Sequence, residues 1–139
     1  MKGRLPHRGE DAWGSGAFGA PRGSRTHSGQ DYAAWPGTTV ECWAAGTVTT
    51  LGYTYATGTG GVKTSDDPYR YVEVTDADGH RFRYHYVSPS VKVGDELAEG
   101  DPLGQLQDIA LRYPDITPHV HLEVYDQDGG LIDPRALEA

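Results

Sequence analysis

Two histidines and a glutamate alternate in "HVHLE", residues 119–123. The surrounding "HVHLEVYD" is rich in β-branched and aromatic residues and reads as a strand. Successive side chains of a strand point to opposite faces. His119, His121 and Glu123 therefore share one face, and Val120, Leu122 and Val124 share the core-facing one. Imidazoles placed side by side suit metal binding and proton transfer near neutral pH. An isolated His-x-His is nevertheless more often a solvent-exposed pair, so other residues must join it. In "RFRYHYV" the same alternation sets Phe82, Tyr84 and Tyr86 on a core-facing side. Arg81, Arg83, His85 and Val87 take the other. In "RTHSGQDYAA", His27 and Asp31 stand four residues apart. Gly29 between them and the lack of an apolar helical stripe predict a loop entering a strand. The plain reading of Asp31 is a turn cap. Three of His27, Asp31, His85, His119 and His121 would suffice for a catalytic zinc, which takes three protein ligands and keeps one position open. The remaining imidazoles could serve as base and oxyanion stabiliser. Spacing alone does not say that the five converge.

The elements that must position them are strands. "TTVECWAAGTVTTLGYTY" reads as one or two strands broken at Gly46. "YRYVEVTDADGHRFRYHYV" is a hairpin turning at Asp78-Gly79. "SVKVGDELAEGDPLGQLQD" reads as short strands joined by Gly-containing turns, and "HVHLEVYDQDGGLIDP" as a closing hairpin. Two loops, "ATGTGGVKTSDDP" and "IALRYPDITP", carry no periodicity beyond a helical turn in the second. The polar, Gly-rich residues 1–16 are expected to form a flexible N-terminal arm, with a single domain over 17–139. Cys42, in "TTVECWAAG", is expected to be a buried structural thiol.

Composition narrows the class. The 139 residues include 19 glycines and nine tyrosines, and helix-forming runs are scarce, so an all-β or mainly β domain is expected. A net charge of −8 without a basic stripe excludes nucleic acid as partner. One cysteine permits no internal disulfide. No apolar run reaches membrane-spanning length, and the N-terminus has no apolar segment of the secretory kind.

The order of these motifs resembles the LytM/lysostaphin-like M23 metallopeptidases. That family carries HxxxD followed by "GTxVxAxxxGxV", seen here as His27-Ser28-Gly29-Gln30-Asp31, Gly37-Thr38-Thr39-Val40 and Gly46-Thr47-Val48. A "YxHL"-like segment is matched by "YHYV", and "VxxGxxVxxGxxIG" by "VKVGDELAEGDPLGQL". "HLHFE" is matched by "HVHLE", with a closing Asp133-Pro134. The resemblance covers roughly residues 17–135. It departs from the family in the loop before HxH, where "LRYPDITPH" replaces a small-residue run.

The resemblance implies a small antiparallel sheet domain of the LytM, duplicated-hybrid-motif type with long groove-lining loops. It implies one Zn²⁺ per chain held by His27, Asp31 and His121, with His85 and His119 as catalytic histidines. The implied activity is endopeptidase cleavage of peptide cross-links in bacterial peptidoglycan. Such an enzyme acts in the periplasm, outside the cell or from a phage particle, delivered by a phage or secretion assembly. Two alternatives are a catalytically inactive LytM-like regulator of another wall hydrolase and a carrier or phosphocarrier-like β domain. The first class loses metal ligands that this chain keeps. A lipoyl or biotinyl carrier needs a lysine motif that Lys63 and Lys92 lack. Mixed charge near the loops, at Asp66, Asp67, Arg81, Arg83, Asp108, Arg112 and Asp115, favours a zwitterionic stem peptide containing diaminopimelate. The bond expected to be cut is then D-alanyl–diamino acid.

Overall fold

A computed structural model of the chain describes residues 5–22, 25–55 and 68–138. The first loop, with Lys63, Asp66 and Asp67, lies outside the described residues. Two small hairpins open the chain: β1 (Glu10–Asp11) with β2 (Gly14–Ser15), and β3 (Pro21–Arg22) with β4 (Arg25–Thr26). Next come β5 (Gln30–Ala33), β6 (Thr39–Glu41) and β7 (Gly46–Tyr53). β7 opens on Gly46, a position that only glycine fits, because a Cβ there would lie 2.4 Å from the carbonyl oxygen of Thr75 on the neighbouring strand.

The hairpin β8 (Arg70–Thr75) and β9 (Arg81–His85) turns at Gly79, whose φ of 85° favours glycine. Then follow β10 (Val87–Pro89), β11 (Glu96–Leu97), β12 (Pro102–Leu106), β13 (His119–Tyr125) and β14 (Leu131–Ile132). All pairings are antiparallel. Helix is confined, among the described residues, to 3-10 turns at Ile109–Leu111 and Pro134–Leu137. None is long and apolar enough to cross a membrane.

The large sheet runs β11-β7-β8-β9-β13-β14, and β5 pairs the first half of β13. A smaller sheet, β10-β12-β6, supplies Val40, Val87, Leu103 and Leu106 to the core. These pack with Val72, Val74, Phe82, Tyr84, Val120, Leu122 and Val124, the alternate residues of β8, β9 and β13. One face of the large sheet is thus the core, and the other is left for polar residues.

Tyr86 departs from the alternation expected of it. The strand ends at His85, and Tyr86 adopts φ 71°, a left-handed conformation that costs a tyrosine about 1–3 kcal/mol. That one residue breaks the period of two. Val87 turns into the core with no exposure, while Tyr86 turns out toward the polar face and packs on the ring of His119. Tyr84 stays in the core, where its hydroxyl accepts from the backbone N–H of Trp43 at 2.9 Å.

Residues 5–16, expected from composition to be an arm, lie against the body. His7 bridges to Tyr32, the Arg8 N–H donates to the Asp31 carbonyl, and the Asp31 N–H donates to the Gly16 carbonyl.

Cys42 is buried, its thiol donates to the Ala44 carbonyl at 2.8 Å, and burial pushes the thiol pKa up. A thiolate is the reactive form. The native protein should therefore be alkylated only as fast as it opens, and completely in denaturant. Fast labelling of the native protein, followed by mass spectrometry, would contradict this placement.

Candidate metal centre and substrate groove

Strand register does most of the assembly. His121 on β13 is opposite Asp31 on β5 and opposite His85 on β9, and His85 is opposite Tyr71 on β8. One rung of the sheet thus carries Asp31, His121 and His85 side by side. His119 lies two residues along β13 on the same face. His27 joins from the turn between β4 and β5. The close approach there depends on Gly29: a Cβ would lie 2.4 Å from the Leu122 carbonyl oxygen and 2.8 Å from Cε1 of His121.

Three ligand atoms meet. His121 Nδ1 is 2.8 Å from Asp31 Oδ1 and 3.0 Å from His27 Nε2. His27 Nε2 is 3.4 Å from the same Asp31 oxygen. Zinc–nitrogen bonds of about 2.0–2.1 Å in tetrahedral array set neighbouring ligand atoms about 3.3 Å apart. The observed triangle fits such an ion with an outward shift of a few tenths of an ångström at two edges. The donor set, two imidazoles and one carboxylate, suits zinc.

Each member is held from behind. His27 Nδ1 faces the Ala17 carbonyl at 3.1 Å, which leaves Nε2 toward the centre. His121 Nε2 faces Glu123 Oε2 at 3.0 Å. The second oxygen of Asp31 accepts from Arg8 Nη1 at 2.8 Å. A carboxylate or carbonyl behind a ligating imidazole fixes its tautomer and ring plane. Glu123 gathers more: it also accepts from Ser28 Oγ at 2.8 Å and from the Tyr125 hydroxyl at 2.7 Å.

The electrostatics follow from burial and pairing. Burial opposes charge on Asp31, but hydrogen bonds from His121 and His27 hold its carboxyl well below the usual range. Burial likewise opposes a charged His121, yet Asp31 and Glu123 raise its pKa to about 9. A cation binding at Nδ1 must displace that proton. His85 and His119 behave differently, because burial keeps both neutral and lowers their pKa. His119 Nδ1 donates to the Thr117 carbonyl at 2.7 Å, leaving Nε2 as an acceptor 3.4 Å from Asp31 Oδ2. His85 Nδ1 is 3.0 Å from Thr54 Oγ1.

These residues line a groove of about 350 Å³. Trp13, Tyr55, Tyr86 and Tyr113 form an aromatic wall. Three of the charges expected to flank the groove, Arg81, Arg83 and Asp108, are engaged by neighbours within the fold. Arg83 donates to Glu73 at 2.7 Å, with Arg81 3.7 Å from the same oxygen. Asp108 caps the 3-10 turn through the Ala110 N–H, whereas Arg112 is exposed beside the groove, its guanidinium over the Tyr55 ring of the wall at 3.9 Å. Arg22, not singled out in the sequence, does line the groove. Among the described residues its guanidinium donates to the carbonyls of Pro21 and Ser15 and has no acidic partner.

The structure thus brings all five expected residues together. It adds Arg8, Trp13 and Arg22, which no local pattern marked as partners of the site, and turns Glu123, expected on the His119–His121 face, into the partner of His121. Two further groups of potential ligands occur among the described residues. One, His85, His121 and Glu123, overlaps the first. The other, Asp76, Asp78 and His80, belongs to the β8–β9 turn, where Asp76 accepts the backbone N–H groups of Asp78 and His80.

Residues 25–134 match the sequence pattern described as Peptidase family M23. In structure the chain is similar to the catalytic domain of the antimicrobial peptidase lysostaphin from Staphylococcus simulans. The two are 24% identical with a TM-score of 0.64, over 88% of this chain and 88% of that one. It is also similar to a variant of the catalytic domain of the prophage-encoded M23 protein EnpA from Enterococcus faecalis. There the identity is 21% and the TM-score 0.65, over 97% of this chain and 92% of that one. These likenesses establish the fold. In sequence it is similar to leukocyte cell-derived chemotaxin-2 of Mus musculus. That protein is 29% identical over 133 residues, 91% of this chain and 75% of that protein.

Gly29→Ala tests the approach of the turn to β13. Forcing a methyl into this contact should cost about 1–3 kcal/mol and weaken metal retention, because His27 and His121 are pushed apart. Thermal melting and metal content measure the two effects. An unchanged melt would mean that the turn yields freely.

Proposed function

Since the chain belongs to peptidase family M23, we propose that it is a zinc-dependent endopeptidase acting on the peptide cross-links of bacterial peptidoglycan. The observation that carries this reading is the meeting of His27 Nε2, Asp31 Oδ1 and His121 Nδ1 beside two neutral histidines. In this reading His27, Asp31 and His121 hold one zinc, and His85 and His119 are the catalytic residues. When bound, the zinc would supply Lewis acidity, polarising the scissile carbonyl and acidifying water toward neutral pH.

The chain's own groups supply the rest. His119 Nε2 is oriented by the Thr117 carbonyl to accept a proton at the centre. His85, on the other side of His121, carries a proton to or from the tetrahedral oxygen or the leaving amine. The aromatic wall excludes water and gives the peptide a surface to lie on. A complete ligand and histidine set favours hydrolysis over an inactive regulator of the same fold.

The cross-link favoured is the direct D-alanyl–diamino acid bond. A diamino acid carries a free carboxylate, and Arg22 offers a guanidinium with no acidic partner among the described residues. A glycine bridge has no side-chain charge for it to meet. Delivery to the wall by a phage or secretion assembly belongs to the same reading.

Ala at His27, Asp31 or His121 should remove most bound zinc. His85→Ala and His119→Ala should keep it and lose on the order of 10²–10⁴ in turnover, the usual share of a general acid or base. Metal analysis beside a peptide assay separates the two groups, and a His121→Ala protein with full zinc would undo the ligand assignment.

Arg22→Gln should raise KM for soluble cross-linked stem peptide by about tenfold with kcat little changed, since a hydrogen bond to a charged group is worth ~1.5–3 kcal/mol. Digestion of directly cross-linked sacculi and of pentaglycine-bridged wall, with mass analysis of the fragments, tests the bond. Release from the glycine-bridged wall alone would reject the direct cross-link.

A further inference from the structure

Arg8 lies outside the residues matched by the family pattern, and its surroundings are those of an internal clamp. Its side chain is 2% exposed. Nη1 donates to Asp31 Oδ2 at 2.8 Å. Nε and Nη2 grip the two oxygens of Asp11 at 3.0 and 2.6 Å, and Nη2 also reaches the Gly14 carbonyl at 3.2 Å. Burial disfavours a charged guanidinium, but the two carboxylates outweigh it and keep Arg8 charged.

Asp11 is itself tied down. Its oxygens accept the backbone N–H groups of Trp13 and Thr117 at 2.8 and 2.9 Å. Thr117 is the residue whose carbonyl orients His119. Gly16 lets this strap sit close, because a Cβ there would lie 2.9 Å from Arg8 Cβ and 3.0 Å from Asp31 Cβ. The same strap supplies the Ala17 carbonyl behind His27 and the Trp13 ring in the groove wall, which donates to the Pro114 carbonyl.

We propose that Arg8, locked by Asp11, is a positioning residue that confines Asp31 to one-oxygen ligation of the metal. Through it the N-terminal strap, residues 8–17, forms an integral part of the metal centre. The proposal rests on the reading of Asp31 as a ligand. A free carboxylate can offer a cation one oxygen or both. Here Oδ1 faces His27 and His121, while Oδ2 is engaged by a fixed, doubly anchored guanidinium that cannot turn away without breaking its fork on Asp11. The clamp thereby limits the protein's donors to three atoms and keeps the groove side of the centre open to substrate. Its second effect is to couple that ligand, through Asp11 and Thr117, to the orientation of His119.

The test uses the full chain with Arg8→Gln, Arg8→Lys and Asp11→Asn, beside Asp31→Ala as control. Zinc affinity is read by chelator competition, folding by circular dichroism and melting, and coordination by the visible spectrum of the Co²⁺-substituted protein. Removing an outer partner of a ligand typically costs about 10–100-fold in metal affinity, so folded Arg8→Gln should lose zinc affinity by that factor. Its Co²⁺ bands should weaken as Asp31 turns bidentate and the coordination number rises. Arg8→Lys should recover part of the affinity, since a lysine keeps the charge and one donor but loses the fork. If Arg8→Gln does not fold, Asp11→Asn decides: it keeps the guanidinium, loosens its anchor, and should shift the spectrum the same way with a smaller affinity loss. An unchanged spectrum and zinc affinity in the folded variants, with zinc lost in Asp31→Ala, would overturn the clamp while leaving the metal site standing. Wild-type zinc affinity in Asp31→Ala would overturn both.

Discussion

A carboxylate with 1% of its surface exposed cannot remain charged by itself. Asp31 is that carboxylate, and the arrangement around it answers the cost of its burial. Two imidazoles converge on one oxygen and a guanidinium on the other. Nε2 of a third, neutral imidazole, His119, lies 3.4 Å from the second oxygen as an acceptor and adds no hydrogen bond to it. Each of these groups needs its own partner, and so Glu123, Asp11 and the carbonyls of Ala17 and Thr117 are drawn in. The polar face of the large sheet is a connected network whose centre is one negative charge.

Such a network demands accurate backbone placement, and the sheet provides it. The core residues of β8, β9 and β13 pack against the smaller sheet and fix which faces turn inward. With one face committed to the core, a register slip of one residue would bury the polar set and expose the apolar one. Packing on the far side of the sheet therefore holds the rung Asp31, His121 and His85 in line. Stability and site geometry are the same constraint seen from two faces.

The groove departs from regularity where chemistry needs it. Tyr86 leaves the strand period through a left-handed backbone and becomes wall rather than core. Gly29 brings the His27 turn within contact of β13. The strap before β3 closes one side with Trp13 and leaves Arg22 unmatched in charge among the described residues. These irregular positions separate a polar sheet surface from a site that can hold a peptide.

The sequence by itself carried the fold class and the five central residues. Period-two alternation around His119, His121 and His85 is a local signal, and Asp78-Gly79 marks its hairpin. The order HxxxD, glycine-spaced strands and HxH identified the family, and the Val120–Leu122–Val124 face was readable as core. Tyr86 was not, because alternation assumes an unbroken strand and one positive φ inverts it. The flanking charges misled for a related reason: Arg83 and Glu73 are ten residues apart in the chain but meet across paired strands, so their pairing is a property of register. Arg8 lay hidden in a polar, glycine-rich segment that composition alone reads as an arm. Only the tertiary structure decides that the guanidinium meets Asp31, 23 positions along the chain, because the segment between them must first fold two hairpins that bring the strap back. Local patterns set strand faces and side-chain chemistry; which charges become partners depends on how distant segments are brought together, and no local pattern encodes that.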